Sequence, residues 1–218
     1  MQKQRKIRIK GTGKASAVPD YVVLTLQLEA INPDYGCAMR IGAEQVETLR
    51  EAVKLAGVEA EELKTLRFAV DTDYRTELGN EDSRTTYRRI FEGYRCRHTL
   101  QLSFDRDAEH LATVMSAISN CSSKPEISIS FTVKNSQALR DKVLQMALED
   151  ARHKAEILCK ASNVELGEII YIEWSYSPSH VTLDACWCDN GTGEINGWDF
   201  YPNDVDVTET LDFIWEIH

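Results

Sequence analysis

Ile7-Arg8-Ile9-Lys10-Gly11-Thr12-Gly13-Lys14-Ala15, a short link, Pro19-Asp20, and then Tyr21-Val22-Val23-Leu24-Thr25-Leu26-Gln27-Leu28 decide the architecture of this chain. The last part alternates strictly, with Val22, Leu24, Leu26 and Leu28 on one face, which is the period of a strand with one side against a core. The first part reads as a short, edge-like strand whose backbone bends at Gly11 and Gly13. Between them Pro19 fixes a corner. The stretch defines an architecture and carries no chemistry.

Further along, Asn32-Pro33-Asp34 is a turn able to cap a helix. Ala38, Ile41, Val46, Leu49, Ala52, Val53 and Ala56 recur at helical spacing, and Gly57 supplies a stop. Leu66, Phe68 and Val70 alternate as a strand, and Asp71 to Thr86 reads as a polar, extended hairpin tip with a turn at Leu78-Gly79-Asn80. The return strand puts Ile90, Tyr94, Cys96, His98, Leu100, Leu102 and Phe104 on one side. Asp105 or Asp107 opens a second helix carrying Leu111, Val114, Met115 and Ile118, and Ile127, Ile129, Phe131 and Val133 alternate after it.

The order strand, helix, strand, strand, helix, strand defines a ferredoxin-like split β-α-β-β-α-β core in which two helices cover one face of an antiparallel sheet. The expected class is therefore α+β. The expected organisation is one unit, 1–218, with the split core at 7–134. Residues 135–218 add a long helix from Ser136 to about Ser162, an acidic irregular loop and closing strands. The third helix and outer strands are expected to pack with the first strand as a second lobe.

At 218 residues, with 43% hydrophobic and 28% charged content, the chain has the composition of an ordinary globular protein. Its apolar runs are short and interrupted, so no bilayer span is expected. No apolar stretch of signal-peptide length follows the basic start, and a cytoplasmic location with six reduced cysteines is the expectation. The net charge of -10 is unevenly spread: Ala161 to His218 holds twelve Asp and Glu and no Lys or Arg, which leaves 25 basic and 23 acidic groups before it. Such a balance repels nucleic acid and anionic membrane at long range. The acidic end is either a solvated face or a surface that meets a basic one.

Cys186-Trp187-Cys188, with Asp184, Asp189 and His180 nearby, holds two thiols where a zinc site needs two ligand pairs, and a disulfide at that spacing would be strained. Two free thiols in a loop are the plain reading. Asp189 to Glu194 lacks the spacing of a calcium loop. His98 sits on the apolar side of its strand, where a hydrogen-bonded core histidine is the simpler reading. Gly11-Thr12-Gly13 leads to a strand and not to a helix N-terminus, so it is no phosphate loop. The long return strand presents Tyr87, Arg89, Phe91, Arg95 and Arg97 in alternation, a composition that serves either a protein interface or stacking on single-stranded RNA.

Three motifs taken together resemble the SIMPL-domain family: Ile9-Lys10-Gly11-Thr12-Gly13 with Pro19-Asp20; Gly93-Tyr94 leading into Leu100 to Phe104; and Ala151-Arg152-His153-Lys154-Ala155-Glu156-Ile157-Leu158 running on to Leu166-Gly167-Glu168-Ile169. The resemblance covers about residues 7 to 175. It implies an α+β fold, a tendency to assemble into large rings and no agreed enzymatic activity. The expected function is a non-catalytic, self-assembling scaffold or interaction module, without cofactor or catalytic residues. In it Tyr87, Arg89, Phe91, Arg95 and Arg97 would face Asp206, Glu209, Asp212 and Glu216 of a neighbouring copy. A redox- or metal-linked protein using Cys186 and Cys188, and an RNA-binding sheet face, stand as alternatives.

Overall fold

In the computed structural model, which describes residues 5–81, 84–174, 182–184 and 202–218 (side chains of 60, 78–87 and 182–184 excepted), the row Val22, Leu24, Leu26 and Leu28 is buried to 2% exposure or less. The elements follow one another as β1 (Lys6–Ala17), β2 (Tyr21–Asn32), α1 (Tyr35–Leu55), β3 (Lys64–Glu81), β4 (Arg84–Asp105), α2 (Ala108–Ser119), β5 (Glu126–Thr132), α3 (Ser136–Ala161), β6 (Leu166–Glu173), β7 (Thr182–Asp184) and β8 (Val205–Ile217). The class is α+β. The described residues form two units, one of residues 21–130 and one of residues 5–20, 131–174 and 202–218. β1 pairs with β8 and packs with α3, in the second of these units.

In the first unit the sheet order is β3-β4-β2-β5, the split arrangement read from the sequence. Leu24 faces Leu102 and Leu26 faces Leu100 across the β2–β4 pair, and α1 and α2 close over this row with Leu49, Val53, Leu111, Val114, Met115 and Ile118. Helix boundaries follow their caps. Asp34 accepts a 2.8 Å bond from the Cys37 N–H, Asp107 accepts from Glu109 and His110, and Asn135 accepts from Ala138. Gly57, at φ 85°, ends α1: its N–H donates to the Lys54 carbonyl while the Val58 N–H donates to that of Val53. Asn163 does the same for α3 at φ 53°, with the Val164 N–H on the Cys159 carbonyl.

The second unit explains the opening motif. β1 is a continuous twelve-residue strand at the edge of the sheet β1-β8-β6, neither short nor bent at its glycines. A Cβ on Gly11 would stand 1.9 Å from the Ala147 carbonyl oxygen, and one on Gly13 1.9 Å from that of Val143. The glycines are there because the backbone of β1 lies directly against α3. The helix answers with Val143, Ala147, Ala151, Ala155 and Cys159, one residue per turn, all buried. Ile9, Leu211, Phe213 and Trp215 fill the remaining space. At the corner after β1, Asp20 accepts a 2.8 Å bond from the Lys134 N–H and donates its own N–H to Thr132, so Pro19-Asp20 ties the end of β1's connection to the start of α3. No helix among the described residues is long and apolar enough to cross a membrane.

Candidate functional site

The arginine-bearing face of β4 is the surface the sequence singles out. Arg95 bonds Glu29 on β2 and, at 2.6 Å, Asp73 on β3; Arg97 bonds Asp71 at 2.8 Å. Hydrogen bonding to Asp73, against a desolvation cost and with help from Glu29, raises the Arg95 pKa further. Both cations are thus matched within their own sheet.

Arg89 and Phe91 do not share this face. Asp73 pairs with Gly93 while the next residue, Tyr74, pairs with Phe91, so Glu92 is an extra residue on β4 and the alternation flips there. Gly93 holds the bulge at φ 148°, where an added Cβ would stand 2.5 Å from the Asn32 carbonyl oxygen. Beyond it Phe91 packs between Tyr74 and Tyr94, Tyr94 against Tyr35, and the Arg89 guanidinium lies 4.6 Å from the Tyr74 ring centroid. The interleaving of aromatic and basic groups expected on one face is therefore divided between two, and with it the stacking pattern of an RNA-binding sheet. The Tyr87 side chain lies outside the described residues. A glycine inside a strand pattern is a bulge signal, so this flip was open to sequence reasoning.

The acidic set of β8 also divides. Asp206 is exposed, and Glu216 lies opposite Lys6 in the β1–β8 register. Asp212 meets Arg8 at 3.0 Å and Lys10 at 3.8 Å, and this pairing raises the Arg8 pKa. Glu209 is 6% exposed, on the α3 side between Val207 and Leu211, and is not offered to a neighbour. The alternation that puts Val207 and Leu211 inside puts Glu209 there too.

What sequence reasoning missed lies at the two edges of the second sheet. Two outward main-chain groups of β1 are held by α3: Asp150 accepts from the Thr12 N–H at 2.8 Å and from Lys154 at 2.7 Å, and Lys154 donates to the Lys10 carbonyl at 3.3 Å. These contacts, the Lys154 bond first, hold the Asp150 carboxyl below its ordinary pKa. Beside them Ile157 and Leu158 are about half exposed and line, with Arg8, Ile9, Lys10 and Lys154, a shallow pocket of about 400 Å3. At the opposite edge, β6 shows Ile169, Ile170, Tyr171 and Ile172 to solvent at 42–52% exposure, with Trp174 at 47% just past its end. Two register irregularities interrupt its pairing with β8, on either side of Ile169. A pocket of about 360 Å3 opens next to it, walled by Leu148, Arg152, Glu156, Leu166, Ile169 and Trp215. The run Ile169 to Ile172 reads in sequence like a buried strand, and only its end position in the sheet exposes it.

Cys96 is buried against Gly42, and desolvation pushes its thiol pKa up; Cys121 and Cys159 are buried and Cys37 partly so, all as free thiols. His98 bonds Thr65 at 3.1 Å and packs edge-on against Phe68; burial, then Arg50, lowers its pKa. Among the described residues no cluster of three or more His, Cys, Asp or Glu is placed to hold a metal ion. Cys186, Cys188, His180 and Asp189 lie outside the described residues.

A split sheet carrying two helices, followed by a three-stranded sheet packed on one long helix, defines an α+β protein with two sheet-and-helix units. The chain belongs to the SIMPL family, whose model, described as "Protein of unknown function (DUF541)", matches residues 7–185. It is similar to the "Uncharacterized protein YggE" of Edwardsiella ictaluri (strain 93-146), 24% identical over 167 residues, covering 77% of this chain and 66% of the relative. It is also similar to the protein of that description in Escherichia coli (strain K12), 22% identical over 172 residues, covering 78% of this chain and 66% of the relative. The chain thus spans just under two thirds of the length of these relatives.

Proposed function

We propose that this protein is a non-catalytic interaction module that assembles with copies of itself, acting as a scaffold in the cytoplasm. The observation that carries the reading is the apolar end strand β6, where Ile169, Ile170, Tyr171 and Ile172 lie exposed in succession beside Leu148 and Trp174. Contiguous exposed apolar surface of this kind marks an interaction site, and covering each of these half-exposed side chains is worth on the order of 1 kcal/mol. The bulges of β6 disfavour simple strand addition, so side-chain packing dominates the contact. A reducing compartment agrees with the free thiols of Cys37, Cys96, Cys121 and Cys159. Static light scattering at high protein concentration, in low and in moderate salt, tests the reading: particles of several copies are expected, and a single-chain mass under both conditions would refute it.

A further inference from the structure

We infer that the outer edge of β3 is a docking site for an extended peptide segment of another protein, apolar at alternate positions and acidic at its two ends. β3 ends its sheet, and among the described residues no main-chain group of another element pairs with its outer side. A row of unpaired main-chain donors and acceptors is what a further extended chain can satisfy. The edges of the other sheet are less open: α3 holds two outward groups of β1, and irregular pairing interrupts β6. In β3 the stretch Arg67 to Tyr74 has no proline, no glycine and no extra residue of its own. The extra residues are Leu66, just before it, and Glu92, across on β4.

The side chains along this stretch say what the edge fits. α1 packs over β2 and β4, and on the same side of the sheet Phe68 and Tyr74 of β3, with Phe91 of β4, are left about half exposed. Val70, opposite Cys96, lies between Phe68 and Tyr74 in this row. An added strand lays every second side chain against it. On the other face Asp71 and Asp73 are bonded to Arg97 and Arg95, so the middle of the stretch is already neutralised. Its ends are not: Arg67 is exposed, the Arg89 guanidinium lies over the Tyr74 ring, and neither pairs with a carboxylate among the described residues. A strand carrying one acid for Arg67 and another for Arg89 complements both. A second copy suits this edge poorly, because two β3 strands paired antiparallel about Asp71 would set Arg67 against Arg75 and Asp71 against itself.

A phage library of random linear peptides, panned on the whole protein, tests the inference. The recovered sequences are expected to alternate apolar residues and to carry an acid near each end. A recovered peptide should slow amide hydrogen exchange of β3 between Arg67 and Tyr74. Arg67→Glu with Arg89→Glu, both at exposed positions and verified as folded by circular dichroism, should weaken that peptide about tenfold or more and select basic ends when panned in its turn. The inference is overturned if no sequence is enriched, if the reversed variant binds the same peptides equally well, or if protection falls on another strand. Slowed exchange between Arg67 and Tyr74 in the protein alone, growing with its concentration, would assign the edge to a second copy and overturn it too. None of these outcomes bears on β6, which particle mass tests separately.

Discussion

Gly11 and Gly13 each occupy a point where the backbone of strand β1 touches the backbone of helix α3. Gly11→Ala or Gly13→Ala forces β1 and α3 apart and is expected to cost about 3 kcal/mol, at the upper end of overpacking penalties, measured by urea denaturation. Gly57→Ala meets no neighbour within 4 Å and suffers only its positive φ, so it should cost about 1 kcal/mol. The arginines of β4 give a second contrast. Removing Arg95 strands Asp73, whose side chain is 17% exposed, and Arg95→Ala should cost about 2 kcal/mol. Arg97 and Asp71 are each about half exposed, so Arg97→Ala should cost less than about 1 kcal/mol. Equal losses for the two would mean that burial does not rank these pairs. At this scale the sequence was legible where local signals speak: Val22, Leu24, Leu26 and Leu28 inside, the Asn32-Pro33-Asp34 turn as a cap, and Asp107 as one of two candidates to open α2. The glycines were visible, but their reason was not, since close approach depends on a helix 130 residues away in the chain.

At the scale of elements, α3 is both the cover of its sheet and the guard of its edge. Lys154 and Thr12 hold the Asp150 carboxylate in its charged form, so its folded pKa lies below the unfolded one. That contribution to stability is complete above the ordinary carboxyl range and is lost as pH falls through the folded value. Asp150→Asn should therefore melt lower than wild type at neutral pH and lose less when acidified below about pH 4, where an aspartate ordinarily titrates. Parallel loss in both proteins would remove Asp150 from the acid response. The β3–β4 hairpin shows where sequence reading stopped. Unbroken alternation through Glu92-Gly93 would put Arg89 and Phe91 on the face of Arg95, and the one extra residue puts them on the face of Tyr94. The element was right and the face was wrong, because a strand's period holds only as far as its nearest bulge.

For the molecule as a whole, the order of elements in the split core was legible because each helix and strand announces itself locally. The pairing of β1 with β8, at opposite ends of the chain, left only the weaker trace of a leftover strand needing a partner. The candidate surface was less legible still: an unbroken apolar run such as Ile169 to Ile172 looks the same in sequence whether a neighbour within the chain covers it or a second copy does. The central claim is that β6 is a surface for another copy, and particle mass in solution addresses it most directly. Sedimentation velocity of wild type and of Ile172→Glu at the same high concentration should show wild type well above the 24.7 kDa of one chain and the variant at that mass. Identical masses for the two proteins, whether single-chain or assembled, would contradict it.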